Sequence, residues 1–537
     1  MAALLPLAAA VLLLSAPLRL CSAAARSSAP PPPAPRPAPL APALFVIGDS
    51  TSDVGTNNYL GTLARADREP YGRDFDTHRP TGRFSNGRIP VDYLGAPLSS
   101  SSASSVILQS PLFLPDFSGS LCAAEKLGLP FVPPYLEQNM RTGAGSSGLT
   151  NIGGMVQGVN YASAAAGIIS SSGSDLDRID FFEKSVSKMH SMGMHVSLTQ
   201  QVQQVEDTYE QLSLALGEAA AADLFRRSVF FVSIGSNDFI HYYLRNVSGV
   251  QTRYLPWEFN QLLVNTVRQE IKNLYNINVR KVILMGLPPV GCAPHFLEEY
   301  GSQNGECIDY INNVVIEFNY ALRYMSSEFI RQFPDSMITY CDTFEGSVDI
   351  LNNRERYGFV TTTDACCGLG KYGGLIMCVL PQMACSDASS HVWWDEFHPT
   401  DAVNRILADN VWSGQHTKMC HPLNLQDMVD RWIKEALEVE LKITFHLYAL
   451  YLIHNLFDSL VRKKEQAGTP PVMKKEAVGV GTFKTSELHG QQPKCFGGKT
   501  ASRLYLVNQP VFDDGMAYLP VKLVEGLNLI YRDCSNK

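Results

Sequence analysis

Absent from the 537-residue chain is any pair of cysteines in C-x-x-C spacing, the arrangement on which most small zinc sites are built, so no metal site is expected. Nor is there a basic run interleaved with aromatic residues. With 44 Lys and Arg against 52 Asp and Glu, a net charge of −8, nucleic acid is not expected as a partner. Glycosylation signals are equally sparse: Asn246-Val247-Ser248 is the one N-x-S/T sequon, and it marks Asn246 as a candidate glycan carrier on a surface loop. Near the start, residues 4–20 are almost wholly apolar and small residues follow at 22–25. No Lys or Arg opens this stretch, but Pro17 and its modest length argue against a membrane anchor. Residues 1–25 therefore read as a secretory signal cleaved between Ala23 and Ala25.

Cysteine usage agrees with an oxidising compartment. Cys21 leaves with the signal, while Cys292, Cys307, Cys341, Cys366, Cys367 and Cys378 lie in one stretch with Cys385 close behind. Such spacing suits loop-closing disulfides, and proximity favours Cys292 with Cys307. Residues 26–42 are rich in Pro and Ala and read as a linker. From 43 to about 427 the chain alternates strands and helices. "SVFFVSIGSND" (228–238) and "KVILMGLPPVGCAP" (281–294) are short apolar runs ending near glycine, as buried parallel strands require. Residues 257–275 have helical composition. Over 309–332, Ile311, Val314, Val315, Phe318, Leu322, Met325 and Phe329 share one helical face, and Pro334 ends it. Strand and helix in alternation give a parallel sheet covered on both faces, with ligands beyond the carboxyl ends of its strands.

Ser50, Asn237 and Pro294 sit at such ends. "FVIGDSTSDVGTNNYL" (45–60) runs from an apolar strand into Ser50, a hydroxyl that needs an adjacent base before it can act as a nucleophile. Among the 12 histidines, His398 stands out. In "WWDEFHPTDAVNRI" (393–406), Asp395 precedes it by three residues, close enough for the carboxylate to hold the imidazole. Taken alone, this pattern also fits a solvated loop with Thr400 capping a helix. Asn237, in G-S-N-D, reads equally as a turn residue or an amide donor. "GLGKYG" (368–373) imitates the dinucleotide fingerprint, but it follows Cys366-Cys367 rather than a strand and carries no such meaning.

Together the ordered blocks "FVIGDSTSDVGTNNYL", "RPTGRFSNGRIPVDYL", "GVNYASAAAGI", "FVSIGSNDFI", "KVILMGLPPVGCAP", "DACCGLGKY" and "WWDEFHPTDAVN" resemble the plant GDSL esterase/lipase family of the SGNH hydrolase superfamily. The resemblance implies a three-layer α/β/α fold around a central parallel sheet and hydrolysis of carboxylic esters outside the cell, in wall or apoplast. It assigns Ser50 as nucleophile, His398 as base and Asp395 as its orienter. The oxyanion hole would be the Ser50 backbone N–H, the Asn237 amide and a third donor from "NYASAAAGI" (160–168). Gly167 is the choice for that donor, with Ala165 the rival. A small-molecule or lipid ester is the expected substrate, with no cofactor, no obligate protein partner, and a peripheral contact with membrane or cell wall. A catalytically impaired binding protein on the same scaffold is the competing class; intact Ser50, Asn237, Asp395 and His398 weigh against it. The chain departs from the family at a Ser-rich insert (95–121), at an irregular insert (176–194), and in an extension from 428 to 537. That extension holds an apolar run at 443–457 and basic clusters at Arg462-Lys463-Lys464 and Lys474-Lys475.

Overall fold

The computed structural model describes residues 39–95, 126–141, 152–173 and 194–466. The expected signal, most of the linker, the interiors of both inserts and the chain beyond 466 lie outside the described residues. Four five-residue strands form the centre: β1 (Leu44–Gly48), β2 (Val229–Ser233), β3 (Lys281–Met285) and β4 (Met337–Cys341). They pair in that order, all parallel, with Phe45 beside Phe230 and Phe230 beside Val282. Two short strands, β5 (Thr361–Ala365) and β6 (His391–Trp393), make a separate parallel pair. Finally β7 (Cys420–His421) joins the edge of β4 antiparallel, so the central sheet is mainly rather than wholly parallel.

Side chains alternate across a strand, so an unbroken apolar run must feed two cores. Phe45, Ile47, Phe230, Val232, Val282 and Leu284 point into one. Leu44, Val46, Val229, Phe231, Ile283 and Met285 point into the other. Helices cover both faces, which gives the three layers expected. The first core is closed by α1 (Leu198–Leu216), α2 (Pro256–Asn276) and α3 (Asp309–Gln332). All seven residues of the apolar face expected on α3 are buried. Pro256 opens α2, where a missing N–H costs nothing, and the Glu258 carboxylate accepts from the Leu255 N–H at 2.9 Å. Flanking the sheet, α4 (Thr343–Asn352) follows β4. The second core is closed by α5 (Asp401–Ser413) and the first turns of α6 (Leu425–Gln466).

Among the described residues four disulfides tie this frame: Cys292–Cys307 as expected, and Cys341–Cys420, Cys366–Cys385 and Cys367–Cys378 besides. The last two cross-link a small third core with Tyr71 and Trp394. The domain limit expected at 427 falls inside α6, where Leu425, Met428 and Val429 are buried in the second core.

Candidate active site

Space at the end of β1 is tight. A Cβ on Gly48 would come within 2.6 Å of the Ser233 carbonyl, so only glycine fits against β2. The Gln201 side chain grips this glycine from α1, accepting from its N–H and donating to its carbonyl, each at 2.8 Å. Beyond it the chain turns back at once: the N–H groups of Ser52 and Asp53 donate to the Asp49 carbonyl at 3.1 and 3.0 Å. Thr51 donates its N–H and hydroxyl to the buried Asp49 carboxylate at 3.0 and 2.8 Å. Ser50 stands on this turn and faces a cavity of about 200 Å³.

The loop between β6 and α5 supplies the next groups. Asp395 folds back on its own loop, its Oδ1 accepting from the N–H groups of Phe397 and His398 at 3.0 and 2.8 Å. The same turn brings the His398 Nδ1 within 2.8 and 2.9 Å of the two carboxylate oxygens. The other ring nitrogen, Nε2, lies 2.8 Å from Ser50 Oγ. From a distant loop, the Tyr71 hydroxyl donates to Asp395 Oδ2 at 2.9 Å. Burial would raise the Asp395 pKa, but the His398 charge and the hydrogen bonds from His398 and Phe397 outweigh it and hold the carboxyl below its usual range. Burial likewise pulls His398 down, yet the Asp395 charge and hydrogen bond more than offset it, and the imidazole sits above its ordinary value.

Across the cavity, Gly235 adopts φ 132° and turns the chain after β2 into Ser236–Asp238. The buried Asn237 lines the cavity and donates one Nδ2 proton to the Ala166 carbonyl at 2.9 Å, which leaves its second amide proton. Asp238 accepts from the N–H groups of Ile168 and Ile169 and from the Ser172 hydroxyl at 2.7, 2.9 and 2.7 Å. Asp53 anchors the other side of the same loop, accepting from the N–H groups of Gly55, Thr56 and Ala164 at 2.7, 2.7 and 3.0 Å. Burial pushes both carboxyls up to about 6.

Between these anchors Ala165 is held at φ 67°, a conformation that costs a residue with a Cβ, and it lines the cavity. Among the described residues, the N–H groups of Ser50 and Ala165 donate to no protein acceptor. Gly167 does not reach the cavity. It packs against Ser172 and Asp238, where a Cβ would lie 2.4 Å from the Ser172 Cβ. The missing Cβ of Gly167 thus serves close packing, and of the two candidates for the third donor it is Ala165 that lines the cavity.

Ser50, Asn237, Asp395 and His398 are thus brought together as the sequence suggested. Asn246 is exposed on a left-handed turn, with its Oδ1 accepting from the Gln251 N–H at 2.9 Å. Tyr71, Gln201, Asp53 and Asp238 went unrecognised as site residues. Asp53 and Asp238 stand inside the strand-end blocks and could have been read as loop anchors. Tyr71 and Gln201 lie 324 and 153 residues from their partners, and nothing local announces them. Apolar side chains, among them Phe231, Met285, Leu351, Val403 and Leu407, form much of the cavity wall. Among the described residues no group of three or more His, Cys, Asp or Glu side chains is arranged to hold a metal ion.

A mainly parallel α/β/α frame with a serine, a histidine and a carboxylate in hydrogen-bonded sequence beside an apolar cavity is an architecture of ester hydrolases. Residues 44–411 match the model of the GDSL-like lipase/acylhydrolase family, and the chain belongs to that family of enzymes acting on ester bonds. It is similar to GDSL esterase/lipase 7 of Arabidopsis thaliana, 36% identical over 73% of this chain and 92% of the relative. GDSL esterase/lipase At1g71691 of the same plant is 34% identical over 72% of this chain and 86% of the relative.

Proposed function

We propose that the protein is a secreted serine esterase or lipase that cleaves carboxylic esters, acyl lipids or acylated plant metabolites and wall polymers, through Ser50, His398 and Asp395. The observation that carries this reading is the 2.8 Å contact between Ser50 Oγ and His398 Nε2, continued at 2.8 Å from His398 Nδ1 to Asp395. His398 takes the hydroxyl proton as Ser50 Oγ attacks the ester carbonyl, and Asp395 fixes the tautomer and stabilises the imidazolium. The tetrahedral oxyanion is received by the N–H groups of Ser50 and Ala165 and by the free amide proton of Asn237. Each such donor contributes about 3–4 kcal/mol in comparable sites. His398 then gives its proton to the leaving alcohol. A water activated by the same imidazole releases the acyl group from Ser50. The apolar wall supports an acyl or aromatic substrate part. The four disulfides and the exposed sequon at Asn246 support passage through an oxidising, glycosylating compartment. Hydrolysis of 4-nitrophenyl butyrate by the purified protein, lost in Ser50→Ala, tests the proposal. Equal turnover by the variant would overturn it.

A further inference from the structure

The acyl-transfer chemistry leaves one part of the cavity wall unexplained. Arg65, Arg68 and Glu396 line the same cavity as Ser50 and His398. Three of their polar atoms, Arg65 Nε, Arg68 Nε and Glu396 Oε2, are buried and have no hydrogen-bond partner. Orphaned buried polar groups cost free energy and call for an explanation. Arg65 is neutralised by its ion pair with Asp67. Arg68 is not: its Nη1 and Nη2 donate only to the carbonyls of Arg65 and Cys378, at 2.7 and 3.5 Å. No described carboxylate lies within ion-pair distance of it. The guanidinium rests over the ring of Tyr71, 5.7 Å from its centroid, and the Tyr71 hydroxyl in turn donates to Asp395.

The acid facing this cation does not cancel it. Burial, then the neighbouring Asp395 charge, pushes the Glu396 carboxyl up to about 8, so at neutral pH it carries a proton and acts as a donor. The groups around Glu396 are Asp395 and His398 on its own loop, Arg68 and Tyr71 from the facing loop, and His295, whose N–H donates to the Glu396 carbonyl at 3.1 Å. Arg68 thus brings an uncompensated positive charge and an unused N–H, and Glu396 an unused O–H, to the wall of one cavity. That complement suits an acceptor-only anion.

We propose that Arg68 and Glu396 form an oxyanion-recognition subsite beside the Ser50 centre, selecting esters that carry a carboxylate or phosphate group. This rests on the esterase reading and narrows its substrate class. The subsite predicts its own pH response. Once Glu396 ionises it stops donating, neutralises Arg68 and repels the ligand, while the His398 titration affects charged and neutral esters alike.

The test compares kcat/KM for mono-4-nitrophenyl succinate with that for 4-nitrophenyl butyrate, an ester of the same chain length without the charge. The expected ratio favours the succinate below pH 8 and falls as pH rises through about 8. Arg68→Gln should lower the ratio at least tenfold, chiefly through KM for the succinate, and Arg68→Lys should restore part of it. Glu396→Gln should abolish the pH dependence of the ratio. Succinate and inorganic phosphate, tried as competitive inhibitors of butyrate hydrolysis, tell which oxyanion the subsite prefers. A ratio that ignores both pH and Arg68→Gln overturns the subsite while leaving the esterase intact. Failure to hydrolyse either ester overturns the esterase reading instead. Calorimetric titration of succinate and phosphate into the wild-type protein then still decides the subsite, because binding of neither would sink it. Should Arg68→Gln not fold, the wild-type pH profile and Glu396→Gln carry the decision.

Discussion

Asp395 accepts from four donors: two backbone N–H groups, the Tyr71 hydroxyl, and the His398 Nδ1, which lies within reach of both its oxygens. A carboxylate so satisfied stays ionised in a buried setting, and its charge is what raises His398. The base must be neutral to accept the Ser50 proton, so a raised value moves the alkaline-going limb upward. The expected kcat/KM on a neutral ester rises with pH and reaches half its plateau above 6.5, the ordinary value for histidine. A limb below 6.5 would contradict this electrostatic account. Tyr71→Phe removes one donor to Asp395, so the carboxylate draws more strongly on His398. The limb should move to higher pH, with kcat/KM lowered roughly tenfold, as the loss of a hydrogen bond to a charged group implies. Unaltered pH dependence would show that Tyr71 only packs. Ser50→Ala should cost roughly 10⁵- to 10⁶-fold in kcat with little change in the melting temperature, because the half-buried hydroxyl adds little to the core. At this scale Ser50, Asp395, His398 and Asn237 were legible because each sits in a short block whose chemistry is local. The Ala165 conformation was not legible: its φ is imposed by Asp53 and Asp238, which reach the loop from 111 and 70 residues away.

Strands and helices were more readily legible than the cross-links that hold them. Apolar runs of β-branched and aromatic residues define β2 and β3 with no outside help, and a helical periodicity defines α3. The weak β7 could not be read, since two residues carry no pattern. The Cys341–Cys420 bridge joins it to β4 through directly paired residues. This bridge closes the longest of the four loops, with a sequence separation of 79. In the chain-entropy model such a loop stabilises by about 4 kcal/mol, against about 3 kcal/mol for the short Cys292–Cys307 loop. Cys341→Ala/Cys420→Ala should therefore lower the melting temperature more than Cys292→Ala/Cys307→Ala, as read by calorimetry on the two purified variants. The reverse order would mean that the bridge near the site restrains native geometry beyond its entropy. Reduction of Cys366–Cys385 and Cys367–Cys378 should act differently, loosening the small core that seats Tyr71 and Trp394 and lowering activity before the domain melts.

Two cores on opposite faces of one sheet make the domain from Pro39 onward, and α6 shows where that domain stops contributing. Leu425, Met428 and Val429 are buried and Ile433 is partly so, whereas nearly every described side chain from Lys434 to Leu460 is exposed. No helix among the described residues is long and apolar enough to cross a membrane. The outer part of α6 nonetheless carries Leu441, Ile443, Phe445, Leu447, Leu450 and Leu456 at exposures between 55 and 71%. These residues fall on two opposite sides of the helix, and apolar surface left uncovered tends to become buried. Full-length protein should therefore self-associate, and removal of everything after Lys434 should leave a monodisperse, fully active enzyme. Cutting eleven positions earlier, after Leu423, should behave very differently. It strips Leu425, Met428 and Val429 from the second core at about 1.5–3 kcal/mol each, a large share of the stability of any domain. Light scattering, melting temperature and butyrate hydrolysis on the three lengths decide the matter. If the longer truncation product aggregates or loses activity, the outer helix belongs to the working enzyme. If the shorter one is as stable as the longer, the docked turns of α6 are dispensable.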